Sequence, residues 1–176
     1  RRKFINLELS QVNSYYNHLL QDYDQVLKQR NNLLKEIRDQ QAPREMLEVW
    51  NQQLINLGSK IIIRRLEALT KLIPLARLTQ RKLTDGQETL ELKYDTKLNI
   101  NKNSSQAEIK EKFTSYLQRV EDKEIDRGVT TVGPHRDDIS LLINDIDVRK
   151  YGSQGQQRTA ALALKLSELE FMKSKV

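Results

Sequence analysis

The first quarter of the chain carries apolar or amphipathic residues at alternating intervals of four and three. They are Val12, Tyr16, Leu19, Tyr23, Val26, Leu33 and Ile37, and Arg30 occupies the remaining position of the series. Such a heptad repeat is typical of a helix that packs lengthwise against another helix. It predicts a helix over residues 10–38, about 43 Å long at 1.5 Å per residue. That length exceeds a compact domain of this size, so we expect the helix to project as an arm.

A short break separates this helix from a second apolar pattern. Residues 39–45 read DQQAPRE, and Pro43 suits the first turn of a new helix. The second pattern shifts register at Ile62 and is expected to be interrupted by Pro74. Its apolar positions are Leu47, Trp50, Leu54, Leu57, Ile61, Ile62, Leu66, Leu69 and Ile73. Two long helices joined by a short turn predict an antiparallel helical hairpin, the arm, over residues 1–82.

The second half of the chain begins with turn, strand and helix signals. Residues 84–87 read TDGQ, a turn signal, and residues 89–98 alternate apolar and polar side chains. The alternation predicts a half-buried strand. A helix then follows, capped near Ser104 or Ser105 and ended by Gly128.

A strand pair and a last helix complete the predicted second half. Residues 139–148 read as two strands around Asn144 and Asp145. The final helix starts near Gly155, and its apolar residues are Leu162, Leu164, Leu166, Leu169 and Met172. The predicted fold class is therefore α+β and mainly helical, with residues 83–176 forming a lobe with a few strands.

The composition of the 176 residues favours a water-soluble protein. Hydrophobic residues make up 38% and charged residues 31% of the chain. No apolar run approaches the roughly 20 residues that a membrane span needs, and no apolar core of a secretory signal is visible. The chain has no cysteine, which excludes disulfides and thiolate metal sites. We therefore expect a cytoplasmic location.

The positive charge of the chain is concentrated in its first half. Residues 1–82 contain 15 Lys and Arg against 8 Asp and Glu, whereas residues 83–176 contain 15 against 16. A basic series with Glu67 as its single acid comprises Lys60, Arg64, Arg65, Lys71, Arg77, Arg81 and Lys82. A surface that binds the phosphate backbone of DNA requires such a series. An ordinary solvated helix face is the alternative.

Two motifs near residue 130 partly match known functional patterns, one a phosphate-binding P-loop and the other a metal or acid–base site. Residues 128–135, GVTTVGPH, have the glycine spacing of a P-loop, but Pro134 and His135 stand where Lys and Ser or Thr are required. Residues 133–138, GPHRDD, group a histidine, an arginine and two aspartates, which is compatible with a metal or acid–base site. The chain has one other histidine, His18, so the alternative is a rigid turn with an Arg136–carboxylate pair.

The stretch GSQGQQ at residues 152–157 opens the last predicted helix and is suited to an anion. Gly152 and Gly155 let backbone N–H groups approach a ligand, and Ser153 offers a hydroxyl. The side-chain amides of Gln154, Gln156 and Gln157 can donate or accept hydrogen bonds. A serine N-cap with flexible flanks is the alternative.

Three segments together resemble the RecF family of DNA replication and repair proteins, which are ABC/SMC-type ATPases. Residues 127–172, from RGVTTVGPHRDD to SELEFM, resemble the family's pattern through almost their whole length. DQVLKQRNNLLK at residues 24–35 is similar to the family's arm, and RRKFINLELSQVNSYY resembles the start of that region. Residues 39–126 match mainly in length and helix pattern.

The resemblance implies a helical arm on an ABC-type ATPase head. The family's signature motif falls on Gly152, Ser153, Gln154, Gly155 and Gln156. In such ATPases the motif contacts the γ-phosphate of ATP bound to the opposing head, so that ATP joins two subunits. Gln157 extends this expected phosphate contact. The resemblance further implies Mg²⁺ with the ATP of the intact dimer, DNA as a partner, and a recombination mediator such as RecR.

Two family motifs are missing from this sequence. No G-x-x-x-x-G-K-[ST] occurs, and no apolar strand ending in paired acids follows the signature helix. We therefore expect an internal segment of a longer protein, with apolar surface exposed. Alone, it should hold no nucleotide or metal tightly, contribute no catalytic residue and be unable to hydrolyse ATP. One alternative is a non-enzymatic coiled-coil adapter. Another is a metal-dependent nuclease that uses Asp137 and Asp138.

Overall fold

The two long apolar patterns fold as two long helices. The structure, a computed structural model, describes residues 6, 9, 10 and 14–173. Helix α1 spans Ser14–Arg38, and helix α2 spans Leu47–Leu83 after a 3-10 turn at Arg44–Met46. From Tyr16 to Leu33 every position of the heptad series is buried, Arg30 included, which confirms the predicted packing face. Val12 and the side chain of Met172 lie outside the described residues.

Helix α2 continues through Pro74, where the sequence predicted an interruption. A proline inside a helix removes one backbone hydrogen bond and crowds the preceding turn. The Pro74 side chain is exposed, whereas Leu72 and Ala76 on either side of it are buried in one apolar core. Most helical stability in proteins comes from such packing, which here offsets the cost of the proline.

The chain forms two compact units, and neither is a continuous stretch of sequence. The sheet unit contains residues 1–12, 65–95 and 138–176, and the helical unit contains residues 13–64 and 96–137. This division differs from the one drawn from the sequence between residues 82 and 83. The reason is that α2 contributes its first half to one core and its second half to the other.

The helical unit is an antiparallel hairpin with a third helix packed on it. Arg30 Nε of α1 donates to Asn51 Oδ1 of α2 at 2.7 Å, and Leu34 of α1 clusters with Leu47 of α2. These pairs lie at similar distances on either side of the turn, as an antiparallel pair requires. Helix α3 spans Gln106–Arg127, and its Ile125 packs against the same cluster.

Both ends of α3 are capped as the sequence predicts. The Ser105 side chain accepts from the Glu108 N–H at 3.2 Å, and Gly128 ends the helix in the left-handed conformation with φ of 62°. Lys112 Nζ donates to Glu108 at 2.6 Å, and this bond, with a second from Ser104, holds the pKa of Glu108 below its usual value. The stabilisation is therefore present above the usual pKa and is lost as the pH falls.

A buried ion pair lies at the centre of the helical unit. Arg30 of α1 and Glu124 of α3 are both fully buried, and their side chains approach to 2.8 Å. Arg30 also donates to Thr130 Oγ1 at 2.7 Å, and Glu124 Oε1 accepts from the Thr131 N–H at 2.6 Å. Three helices and the segment after α3 are thus joined by charge-assisted hydrogen bonds, which are stronger than neutral ones.

The sheet unit contains a three-stranded antiparallel sheet in the order β1-β2-β3. Strands β1, β2 and β3 span Leu90–Asp95, Asp138–Ile143 and Ile146–Asp147, and Leu90 is opposite Ile143. Positive φ angles at Asn144 and Asp145 form the tight turn that the sequence predicts. Helices α4, Val148–Tyr151, and α5, Gln154–Lys173, follow. The core combines Leu69, Leu72, Ala76, Leu90, Ile139, Ile143, Ala160, Ala163 and Leu164.

Removing one partner of the buried ion pair should destabilise the helical unit strongly. We expect Arg30→Met or Glu124→Leu alone to lower the free energy of unfolding by about 3–5 kcal/mol, because each leaves an uncompensated buried charge. The double variant should recover most of this loss, since two apolar side chains then replace two charges. Urea denaturation followed by circular dichroism measures the effect. Arg38→Ala, which removes an exposed pair with Asp39, is the control and should change stability little.

Candidate functional site

The GSQGQQ stretch forms the connection between α4 and α5. Gly152 ends α4, and its N–H donates to Val148 O at 3.1 Å. A Cβ atom at Gly152 would lie 2.5 Å from that same oxygen, so the close approach of the backbone requires glycine here. We call residues 152–157 the signature loop.

Ser153 caps helix α5 in a reciprocal arrangement with Gln156. Ser153 Oγ accepts from the Gln156 N–H at 3.1 Å, and Gln156 Oε1 accepts from the Ser153 N–H at 3.0 Å. This pattern is a capping box, which satisfies two backbone donors with two side chains. The serine N-cap considered from the sequence is therefore present, and its partner is Gln156.

The outer side of the signature loop is open. Ser153, Gln154, Gly155 and Gln157 are exposed. Among the described residues, a Cβ atom at Gly155 would come within 4 Å of Ser153 Oγ alone, at 3.7 Å. The packing of the described chain thus gives no steric reason for a glycine at position 155.

The electrostatics of the loop favour an anion. Gln154 and Gly155 are in the first turn of α5, where helix geometry provides no carbonyl partner for the backbone N–H groups. The same end of the helix carries the positive end of its dipole. The Ser153 hydroxyl accepts one hydrogen bond and retains its own proton for donation. Together these groups can bind a phosphate oxygen.

Two residues that sequence reasoning missed support the signature loop, Glu88 by direct contact and Gln80 through Glu88. Glu88, just before β1, accepts from Gln156 Nε2 at 3.0 Å and from Gln80 Nε2 at 2.7 Å. Gln80 lies on α2 and is fully buried. Neither residue belongs to a motif. The one signal in the sequence for Gln80 was a polar residue seven positions after Ile73, where the helix pattern calls for an apolar one.

The basic series of α2 is exposed at most of its positions. Arg64, Lys71, Arg77, Arg81 and Lys82 are exposed, and Lys60 is half-buried. Arg77 pairs with Glu91 of β1. Lys71 and Lys82 are eleven residues apart, which is three helical turns, so both side chains lie on one side of α2 about 16 Å apart.

Arg65 differs from the rest of the predicted DNA-binding residues. Its side chain is 2% exposed, and it donates to Asn6 Oδ1 at 2.9 Å and to Tyr94 OH at 3.2 Å. The sequence could not distinguish it from Arg64, because adjacent positions on a helix point about 100° apart and only packing shows which one is covered. Arg65 therefore supports the sheet unit from within.

The GPHRDD stretch forms a packed turn. Gly133 has φ of +122°, and a Cβ atom there would lie 2.5 Å from Tyr23 OH. His135 shares one hydrogen bond with Tyr23 OH at 2.8 Å, and Arg136 Nε donates to the Thr130 carbonyl at 3.3 Å. Asp137 is buried, and its N–H donates to the Gly133 carbonyl at 3.2 Å. These contacts connect the turn to α1.

The described part of the chain has neither a cluster of metal-binding side chains nor a membrane-spanning helix. Residues 6, 9, 10 and 14–173 contain no group of three or more His, Asp or Glu side chains that could hold a metal ion. None of the helices that the structure describes has both the length and the apolar content needed to cross a bilayer.

Comparisons with known proteins give one consistent family. The chain is 52% identical to the DNA replication and repair protein RecF of Halothermothrix orenii over 176 residues, covering 99% of this chain and 47% of the relative. It is 45% identical to RecF of Desulforamulus reducens and 41% identical to RecF of Staphylococcus carnosus, with 46% and 48% of those proteins covered. No protein-family model matches.

A solved structure shares the fold along nearly the whole chain. It is described as the recombination mediator protein RecF-ATP in the RecFOR pathway, with a TM-score of 0.94 and 35% identity over 99% of this chain and 46% of that chain. A second, described as RecF-ATPrS in the same pathway, gives the same TM-score and identity.

The fold defines the class as a partial ATPase lobe with a long helical hairpin, as in part of the solved RecF-ATP structure. Within that class, the chain corresponds to a part of the RecF proteins, and the resemblance seen in the sequence is confirmed. The chain spans about half the length of the curated relatives it matches.

Replacing Arg65 should reduce stability, whereas replacing an exposed member of the same series should not. We expect Arg65→Met to lower the free energy of unfolding by about 2 kcal/mol, because hydrogen bonds from a buried charged donor are lost. Lys71→Met is the matched control on the same helix. Thermal unfolding of both variants measures the difference, and equal melting temperatures would contradict the structural role of Arg65.

Proposed function

We propose that this chain is the arm and signature-motif segment of an ATP-dependent DNA-binding protein of recombinational repair and replication-fork maintenance. The observation that carries the proposal is the open signature loop. The packing of the described chain does not require a glycine at position 155, and Ser153 is held at a helix N-terminus. The relatives named DNA replication and repair protein RecF and the solved RecF-ATP structure support it.

The residues of the loop fit a terminal phosphate presented by another subunit. The Ser153 hydroxyl and the N–H groups of Gln154 and Gly155 would donate to phosphate oxygens, and the Gln154 and Gln157 amides would add neutral donors. ATP supplies the negative charge that joins the two subunits, and its hydrolysis releases them. No G-x-x-x-x-G-K-[ST] occurs in the 176 residues, so the P-loop, and with it the bound ATP and Mg²⁺, would belong to another part of the intact protein.

The exposed cations of α2 supply the proposed DNA surface. Lys71 and Lys82, on one side of the helix, would neutralise backbone phosphates without reading the sequence. The intact protein would act in the cytoplasm, as a homodimer on gapped DNA, and would help to load a recombination mediator such as RecR. A non-enzymatic coiled-coil adapter would instead bind its partner independently of ATP.

Ser153→Arg should block ATP-dependent dimerisation of the full-length protein. The arginine side chain would occupy the open side of the loop and remove the hydroxyl that donates to the phosphate. Nucleotide binding to the monomer, measured with a fluorescent ATP analogue, should remain within about twofold, because the loop acts on the opposing subunit's nucleotide. Light scattering measures the dimer. Ser115→Arg, at an exposed position of α3, is the control, and ATP-dependent dimerisation by Ser153→Arg would reject the proposal.

Reversing the charge of Lys71 and Lys82 should weaken binding of duplex DNA uniformly across sequences. If each contacts one phosphate, the slope of log affinity against log salt concentration should fall by about two. Fluorescence anisotropy with labelled duplexes of unrelated sequence measures the slope. Lys102→Glu with Lys123→Glu makes the same change of charge at exposed positions outside the series. Equal slopes for the two double variants would place the DNA surface elsewhere.

A further inference from the structure

Glu88 connects the signature loop to the long helix α2. Its two carboxylate oxygens accept from two different glutamines, Oε1 from Gln156 of the loop at 3.0 Å and Oε2 from Gln80 of α2 at 2.7 Å. All three residues belong to the sheet unit. The carboxylate therefore lies between Gln80, on the buried face of α2, and Gln156, which forms the capping box of α5 with Ser153.

The charge of Glu88 determines which end of the Gln156 amide faces the loop. An ionised carboxylate can only accept hydrogen bonds, so Gln156 must present its Nε2 to Glu88. Its Oε1 is then directed to the Ser153 N–H, where it accepts at 3.0 Å. The orientation of the capping box, and with it the position of the Ser153 hydroxyl, thus depends on a residue outside the loop.

Gln80 supports the same helix turn by a second route. Its Nε2 has two hydrogens, and it donates to Glu88 and also to Thr159 Oγ1 at 3.3 Å. The Thr159 hydroxyl in turn donates to the Gly155 carbonyl at 3.1 Å. Gln80 is fully buried, and polar interactions at low dielectric are stronger than those exposed to water.

Glu88 is itself held by the turn that follows α2. Its N–H donates to Thr84 Oγ1 at 3.2 Å, and the Thr84 hydroxyl donates to the Gln80 carbonyl at 2.9 Å. Glu88 is therefore anchored to the last turns of α2 through both its backbone N–H and its carboxylate. A side chain so constrained can orient a partner with little loss of conformational entropy at the moment of binding.

We infer that Glu88 and Gln80 are positioning residues for the signature loop, which they hold in the orientation that receives the γ-phosphate of an opposing subunit. The inference rests on the proposed function of the loop. Neither residue touches the phosphate, and both act through Gln156, Ser153 and Thr159. The Arg77–Glu91 pair provides a comparison, because it also joins α2 to β1 but neither residue has a hydrogen bond or ion pair to the loop.

Glu88→Ala in the full-length protein tests the inference with two independent readouts. We expect amide hydrogen exchange at residues 153–157, without nucleotide, to become about tenfold faster at the hydrogen-bonded amides of Ser153, Gln156 and Gln157, as the capping box loses its support. The ATP concentration needed for half-maximal dimerisation should rise by about tenfold, because hydrogen bonds to a charged group are lost. Nucleotide binding to the monomer should not change. Glu91→Ala, the matched control, should leave both readouts unaltered.

Glu88→Gln distinguishes positioning from folding. It keeps the shape of the side chain and one acceptor oxygen but no longer dictates the direction of both glutamine amides. Both readouts should therefore fall between those of the parent protein and Glu88→Ala, with the melting temperature nearly unchanged. This variant also carries the test if Glu88→Ala does not fold.

The outcomes separate this inference from the proposed function. Unchanged exchange at residues 153–157 in both Glu88 variants would overturn the positioning role. Faster exchange with normal ATP-dependent dimerisation, in a protein where Ser153→Arg blocks dimers, would overturn the inference and leave the function of the loop intact. If Ser153→Arg also dimerised normally with ATP, the proposed function would fail and the inference with it.

Discussion

The continuity of helix α2 is the constraint on which both units depend. Its 37 residues include a proline, yet the helix is unbroken because apolar side chains on both sides of Pro74 are buried. Leu47 and its neighbours complete the helical unit, while Leu69, Leu72 and Ala76 complete the sheet unit. The turn that follows α2 then holds Glu88, and through it the signature loop. A helix that ended at Pro74 would remove Ala76 from the sheet core and would no longer place Gln80 beside Glu88.

Polar networks restrict the packing arrangements open to each unit more than apolar burial does. In the helical unit, Arg30 and Glu124 form a fully buried ion pair, so any packing that separates them leaves a charge without a partner. In the sheet unit, Glu88 accepts from Gln80 and Gln156 and so selects one orientation for each amide. Apolar contacts are non-directional and tolerate small shifts, whereas these bonds have fixed donors and acceptors. The geometry of the signature loop depends on these directional hydrogen bonds.

The glycines show how far the sequence could predict the site. Gly128 and Gly133 have positive φ angles, and Gly152 lies against a backbone carbonyl, so folding explains each of them. Gly155 has open space beside it, and this difference, which supports a ligand-facing role, is invisible in the string GSQGQQ. Likewise, Arg64 and Arg65 are equivalent as letters, but packing exposes one and buries the other. The half-buried acceptor Glu88 follows a turn signal, and no pattern in the sequence marks it.

The sequence by itself determined the elements that depend on local periodicity and capping. These include the heptad of α1, the break at Pro43, the Ser105 and Gly128 caps of α3 and the Asn144–Asp145 turn, because each arises from residues close together in the chain. The family resemblance was also readable from residues 127–172. Only the tertiary structure decided that α2 passes through Pro74, that the units are divided at residues 64 and 65, and that Gln80 and Glu88 support the loop. Each of these depends on contacts between residues distant in sequence, whose free energy outweighs the local preference.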